Sequence, residues 1–391
     1  MLHYYVTLFL VAMVATWWIF KKVLKIAMMK NIVDNPDARK LQRTPVPVLG
    51  GVAVFFGMIV ALVVTRLLFD TYTLFAIMGV MTIMLYLGTM DDILSLSPKL
   101  RFVVEIGVVC LLIYCNDYSI NDFHGLWGIY QISEWIAVPL TIFACVGIIN
   151  AINLIDGVNG LSSGYCITTC AIFGTAFILT DDKDAASLAM LSVGALIPFF
   201  IHNVFGKKSK MFIGDGGTLL MGTIISTFVI GALNVNSPLA EKVAPNFGVI
   251  AFALSLLVMP VFDCLRVMIS RILHHTSPFH PDRTHFHHLL FDMGFSHVGT
   301  TCIEISLNIL IVLSWWISYK LGASVDVQLY VVVLLGLLCT VGIYTFLRNQ
   351  EKNNTRLFQS IQNFSKKTHF GHTNWWQSYS KFLDRDIDDI K

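Results

Sequence analysis

Apolar runs of about 15 to 23 residues, each closed by charge, glycine or proline, recur along almost the whole chain, and nothing else restricts its fold as much. They fall at about 4–20, 48–69, 73–90, 102–116, 135–152, 161–179, 186–204, 217–234, 247–269, 301–319 and 328–347. A bilayer absorbs such runs, because about 20 apolar residues cross its hydrocarbon as a helix and every backbone polar group is then bonded internally. The expected fold is an all-α integral membrane protein with about 11 transmembrane helices. Composition agrees: 55% of the 391 residues are hydrophobic and 13% charged, against about 25% charged in soluble domains. The first run has neither a basic leader nor a small-residue cleavage site and reads as a retained span. Eight cysteines without C-x-x-C spacing read as small core hydrophobes. A net charge of +2 gives no reason to expect a nucleic-acid partner.

Eleven crossings put the termini on opposite sides. With the N-terminus outside, 23 of the 27 Lys and Arg residues fall on the cytoplasmic side, leaving Arg66, Lys183, Lys242 and Lys320 outside. That bias predicts N-out, C-in. Residues 1–347 form the membrane domain and 348–391 a polar cytoplasmic tail expected to be floppy; the alternative is that Trp375 and Trp376 rest at the membrane interface. The outside segment 117–134, with alternating apolar residues around Gly125 and Gly128, suggests a small hairpin at the membrane surface. No inverted repeat of the transporter kind is visible.

Nearly all the unusual polar residues fall on the cytoplasmic side. Asp91 and Asp92 close the third run in GTMDDILSLSPKLR, where they could equally be solvated acids or a helix cap. Asn150, Asn153, Asp156 and Asn159 recur every three residues in NAINLIDGVNGL, a polar helical stripe that breaks at Gly157 and Gly160. Asp215 sits in FIGDGGTLLMG, whose glycines would admit a phosphate to a helix start. Between runs nine and ten lies HPDRTHFHHLL, with Arg283, His285, His287 and His288. Zinc is the obvious alternative for clustered histidines, yet no Cys or Glu stands at ligand spacing, and a set of donors for anionic oxygens fits better. The first cytoplasmic segment, DNPDARKLQRTPVPVLGG, suggests a shaped entrance to the second helix. Carboxylates with histidines and Arg on one membrane face suit a hard divalent cation, Mg²⁺ or Mn²⁺, bound with a nucleotide diphosphate. Such a set can catalyse displacement at phosphorus by positioning and charge neutralisation.

The order DD, NxxNxxDG, FxGDxG, HxHH on successive cytoplasmic segments resembles the polyprenyl-phosphate N-acetylhexosamine-1-phosphate transferases, glycosyltransferase family 4, over about residues 34–290. The resemblance implies transfer of GlcNAc-1-phosphate from UDP-GlcNAc to undecaprenyl phosphate with release of UMP. That would be the first membrane step of a cell-envelope polysaccharide such as O-antigen or teichoic acid, in the bacterial cytoplasmic (inner) membrane. Another UDP-N-acetyl sugar, or phospho-MurNAc-pentapeptide, is the alternative within the family. A transporter is the alternative outside it, but would place its acids near the bilayer midplane. Implied partners are the UDP-sugar, undecaprenyl phosphate and the bilayer; a homodimer stays open.

By this likeness Asp215 is the principal Mg²⁺ ligand, with Asp156 beside it, and Asp91 and Asp92 lie near the lipid phosphate and the metal. Asp91 has been cast in such enzymes as the base, but a phosphate monoester is already largely dianionic at neutral pH, so Asp91 can instead orient the phosphate. Arg101 would pair with phosphate, and Asn150 and Asn153 line the nucleotide site. Phe212 would stack on uracil, with Asn203 and Asn159 contacting the same pocket. His285, His287, His288 and Arg283 would bind the diphosphate or the sugar. Two departures are visible. Asn159 stands where many relatives carry a second Asp, so it is not counted as a metal ligand, and HFHH replaces the HHH of the peptidoglycan branch, which favours the GlcNAc branch.

Overall fold

The computed structural model describes residues 2–36, 41–42, 44–66, 74–116, 119–278, 282–385 and 387, with the side chains of Arg66, Phe75 and Asn116 also left out. Arg39, Lys40 and Arg43 of the basic first segment lie outside the described residues. The apolar runs bond their backbones internally, so helices make up nearly all of the structure. They are α1 (Leu2–Met29), α2 (Gly50–Arg66), α3 (Leu74–Leu94), α4 (Pro98–Asn116), α5 (Glu134–Leu154), α6 (Leu161–Leu179), α7 (Lys183–Phe205) and α8 (Gly214–Ala232). After the short α9 (Pro238–Lys242) come α10 (Val249–Ser255), α11 (Val258–Leu273), α12 (Phe286–Asp292), α13 (His297–Lys320), α14 (Val325–Leu337) and α15 (Tyr344–Lys352). The tail adds α16 (Arg356–Ser365) and α17 (Asn374–Leu383). A two-residue antiparallel ribbon, β1 (Val33–Asp34) against β2 (Val46–Pro47), is the described sheet and pairs Asp34 with Val46.

Among the described residues eight helices are long and apolar enough to cross a membrane unaided. The other expected spans are α2, which is shorter, α4, which carries Lys99, Arg101 and Glu105 in its first half, and the α10–α11 pair. The ninth span is therefore not the single helix expected over 247–269: α10 and α11 meet at 74°. Pro260 explains the break. It has no N–H to give the carbonyl four residues earlier, Leu256, and that carbonyl instead accepts from the Tyr165 hydroxyl and, at 3.5 Å, from the Asn308 amide. The first span is also longer than expected, so Lys21, Lys22 and Lys25 lie on α1 rather than in a loop. Lys22 folds back over the Trp18 ring at 3.2 Å, which lets a helix of this composition run on past its apolar core.

Helix α8 is the most enclosed span, packed against α3 and α5, while α1, α2 and α7 form a neighbouring group. Close approach sets this centre. A Cβ on Gly222 would lie 2.7 Å from the Ile149 Cα, and one on Gly88 would lie 2.4 Å from the Asp215 carbonyl carbon, so these two contacts require glycine. Segment 119–133 folds back on itself as expected, through an Asp122–Gln131 bridge.

The tail departs from expectation: it is folded against the body rather than floppy. Trp375, Trp376 and Tyr379 surround Phe205 at the end of α7, with ring centroids 4.5–5.9 Å apart, and Leu383 is 1% exposed. All eight cysteines are free.

Candidate active site

The last turn of α3 holds the paired acids, and successive helix positions aim them differently. The Asp91 carboxylate accepts from the Leu96 amide at 2.8 Å, closing the turn after the helix, where Ser95 takes a left-handed φ of 52°. Asp92 faces α8 and accepts from the Asp215 and Gly216 amides at 3.1 and 3.4 Å. It thus caps a helix distant in sequence, satisfying orphan N–H groups that α8 leaves at its start. The capping role weighed for these acids is real for Asp92, and it also fixes where Asp215 projects.

Arg101, on the first turn of α4, ties the helix ends together. Its guanidinium donates to Asn153 Oδ1 at 2.8 Å, Asn150 Oδ1 at 3.2 Å and Glu105 Oε1 at 3.0 Å. It also lies 3.4 Å from Asp91 and 3.8 Å from Asp215. Asn150 donates onward to Glu105 at 2.6 Å, and Asn153 donates to Asp215 Oδ1 and Thr218 Oγ1, both at 2.7 Å. The i, i+3 stripe read from the sequence is therefore a physical edge of α5, joined through one cation to α3, α4 and α8. Glu105, fully buried, is a member the sequence reading missed. Its only signal is the i, i+4 spacing from Arg101, which looks like an ordinary helix pair.

Asp34, Asp91, Asp92 and Asp215 line one cavity of about 240 Å³ together with Val48, Ser95 and Leu96. Asp34, placed there by the β1–β2 ribbon, is a lining acid that the sequence pattern did not single out.

Asp156, expected beside Asp215 at the metal, lies outside the Arg101 ring and is not among the residues lining the cavity, where Asp92 stands with Asp215 instead. Its carboxylate accepts from the Ser162 hydroxyl at the start of α6, and burial pushes it up to about 7 despite a partly accessible face. Asn203 is a brace between backbones: it accepts from the Gly160 amide at 2.7 Å and donates to the Met211 carbonyl at 2.8 Å. That use departs from the nucleotide contact expected of it. Asn159 is 8% exposed, and its main chain is held by His297 and Thr301. Phe212 is half-buried three residues before Asp215, its backbone bonded to Pro47 and Gly50.

The histidine segment opens α12. His285 Nδ1 lies 2.8 Å from Asp263 Oδ2, and the same carboxylate accepts from Arg266 at 2.6 Å. Asp263 and Arg266, on α11, are further residues the sequence reading passed over. His287 reaches the Asp156 loop, for a Cβ on Gly157 would lie 2.8 Å from its Nε2. The Nδ1 atoms of His287 and His288 have no hydrogen-bond partner although buried. Burial, with neighbouring cationic groups, holds His287 well below its ordinary value and His288 at about 4, so both rings are neutral near pH 7. Arg283 pairs with Asp292 at 2.9 Å. The cation hydrogen-bonded into the Asp263–His285 couple is Arg266.

No three His, Cys, Asp or Glu side chains among the described residues converge closely enough to enclose a metal by themselves. The donor set nevertheless fits Mg²⁺, which ordinarily takes one or two carboxylates and completes its shell with water and substrate phosphate oxygens. Asp215 and Asp92 line the cavity with oxygen donors alone, and no sulfur or imidazole is among its lining residues.

Residues 74–233, which include Asp91, Asp92, Arg101, Asp156 and Asp215, match the family model described as glycosyl transferase family 4. A Bacillus subtilis (strain 168) protein described as a probable undecaprenyl-phosphate N-acetylglucosaminyl 1-phosphate transferase is 30% identical over 294 residues, 75% of this chain and 78% of that protein. Undecaprenyl-phosphate alpha-N-acetylglucosaminyl 1-phosphate transferases of Yersinia pestis and Escherichia coli (strain K12) are 29% and 26% identical over 284 and 281 residues. Each match covers 70% of this chain, and 73% and 72% of the relative.

Proposed function

This chain belongs to glycosyl transferase family 4, and we propose that it transfers GlcNAc-1-phosphate from UDP-GlcNAc to undecaprenyl phosphate, releasing UMP. The observation that carries the reading is the convergence of Asp91, Asp92 and Asp215 on one cavity, with Arg101 against two of them. The names of the relatives support undecaprenyl phosphate as the acceptor and N-acetylglucosaminyl 1-phosphate as the transferred group.

In this reaction a lipid-phosphate oxygen attacks the β-phosphorus of the UDP-sugar. The bond from that phosphorus to the oxygen bridging it to the α-phosphorus breaks, and the bridging oxygen leaves with UMP. Little covalent chemistry falls to the protein, so positioning and charge compensation dominate. Arg101 sits where it can draw an anionic phosphate toward the acids, and its five hydrogen-bonding and ionic partners fix its fork before substrate arrives. Asp91 orients Arg101 and the incoming phosphate; no base is needed for a nucleophile already largely dianionic. Asp92 holds the first turn of α8, so that Asp215 projects into the cavity. Mg²⁺, or Mn²⁺ in its place, would be held by Asp215 with Asp92 and would neutralise charge developing on the diphosphate. Phe212 offers a ring for uracil beside Asp215. His287 and His288, neutral and with ring nitrogens unpartnered, supply directed hydrogen bonds to diphosphate or sugar oxygens.

The helix ends that meet at the cavity belong to the face on which the basic residues gather, so the site faces the cytoplasm, with the N-terminus outside and the C-terminus inside a bacterial inner membrane. The test is purified protein with undecaprenyl phosphate, Mg²⁺ and a panel of UDP-sugars, scored by UMP release. Release with UDP-GlcNAc is expected; release with UDP-MurNAc-pentapeptide alone overturns the substrate assignment.

A further inference from the structure

Among the described residues the tail after α15 is hydrogen-bonded to the body in two regions, and each adjoins a segment of the candidate site. The first anchor lies just beyond the histidines. Ser365 Oγ donates to the Met293 carbonyl at 3.3 Å, His369 Nε2 lies 3.0 Å from the Gly294 carbonyl, and Ser296 Oγ donates to the Thr368 carbonyl at 3.2 Å. Gly294 takes φ +90°, and a Cβ there would lie 2.9 Å from Ser365 Oγ, so the α12–α13 turn is shaped to receive the tail.

The second anchor lies at the α7–α8 segment, which leads into Phe212 and Asp215. The Asp384 carboxylate accepts from three consecutive backbone amides, Lys207 at 3.3 Å, Lys208 at 3.1 Å and Ser209 at 2.9 Å, and from the Ser209 hydroxyl at 2.8 Å. Successive N–H groups converging on one anion form a nest, and here the anion is the chain's own tail. Trp376 and Tyr379 enclose Phe205 two residues before the nest, and Ser209 is fully buried. Without Asp384, three N–H groups would have to find water, while Gly206 would keep its bond to the His202 carbonyl and Met211 its bond from the Asn203 amide.

We propose that the tail is a strap that sets the nucleotide side of the site, with Asp384 as its principal positioning residue. It links residues 205–209, which carry the chain into Phe212, to residues 293–296, which follow the histidines. Asp215 is held independently by Asp92 and Asn153, and the Phe212 backbone by Pro47 and Gly50, so loosening the strap frees the approach to Phe212 first and leaves the acids in place. The strap rests on the reading of Phe212 as the uracil platform, but its physical part does not.

Two readouts on the full-length protein separate them. Hydrogen exchange compares parent, Asp384→Ala and Asp384→Glu: faster exchange across 207–209 is expected in the alanine variant, with restoration in the glutamate variant. Unchanged exchange in Asp384→Ala overturns the strap whatever the activity. Kinetics on the same samples should show the KM for UDP-GlcNAc raised about tenfold in Asp384→Ala, with kcat and the KM for undecaprenyl phosphate held within about twofold. Equal losses in all parameters, or no rescue by glutamate, contradict the positioning role. A parent that releases no UMP while the exchange pattern holds would fault the catalytic reading and leave the strap standing.

Discussion

The acid cluster and the histidine segment both present polar side chains at the ends of apolar helices, yet they are built in opposite ways. Around Arg101 almost every polar atom has a protein partner, and four helix ends are interlocked through one guanidinium. Of the three histidines His285, His287 and His288, the first is locked through Asp263 and Arg266, while His287 and His288 each keep a buried Nδ1 without a partner. Buried polar groups are costly unless bonded, so a fold that leaves two of them open holds them for something else. The difference separates a frame, complete before substrate binds, from a set of donors that only a ligand completes.

Breaking the frame should have the larger consequence. Arg101→Met leaves Glu105 buried with Asn150 as its remaining partner and removes the cation facing Asp91 and Asp215. UMP release should drop by about a thousandfold or more, and stability by about 3 kcal/mol. Activity assays and thermal melts in detergent measure both, and retention within about threefold of the parent would remove Arg101 from the centre of the account. The donor set should respond more gently, and through pH. His288 is held at about 4 against an ordinary 6.5, mainly by burial and then by Arg283. A lowered folded-state value means that the neutral ring contributes stability above 6.5, and that this contribution is lost as pH falls from 6.5 toward 4. His288→Gln should therefore lose about 1–2 kcal/mol less than the parent over that interval, after allowance for partial solvent exposure. Parallel melting curves of the two proteins across the interval would sink this assignment.

Much of the frame is legible in the sequence because a charged or amide side chain in or at the end of an apolar run is conspicuous. Asp91, Asp92, Asn150, Asn153 and Asp215 stand out for that reason, and the structure brings four of these five into hydrogen-bonding or ionic contact with Arg101. Glu105 and Asp263 escaped notice because each stands three or four residues from an arginine, where it resembles a surface helix pair. Asp34 escaped because a two-residue ribbon carries no periodic signal. The bend between α10 and α11 did leave a mark in Pro260, but that mark needed Tyr165, far away in sequence, to accommodate the freed Leu256 carbonyl. The tail's docking left least trace of all, since Asp384 binds backbone amides, and backbone amides look the same at every position.

The proposed function puts phosphoryl transfer in the cavity between α3 and α8, with Asp215 as its principal oxygen ligand. Asp215→Asn keeps the size of the side chain and an oxygen for Asn153 to bond, while removing the charge. Parent and variant, purified in parallel and matched for monodispersity, should be compared for UMP release from UDP-GlcNAc with undecaprenyl phosphate and Mg²⁺. The account predicts a loss of about a thousandfold with the protein still folded, and release at the parental rate would contradict it.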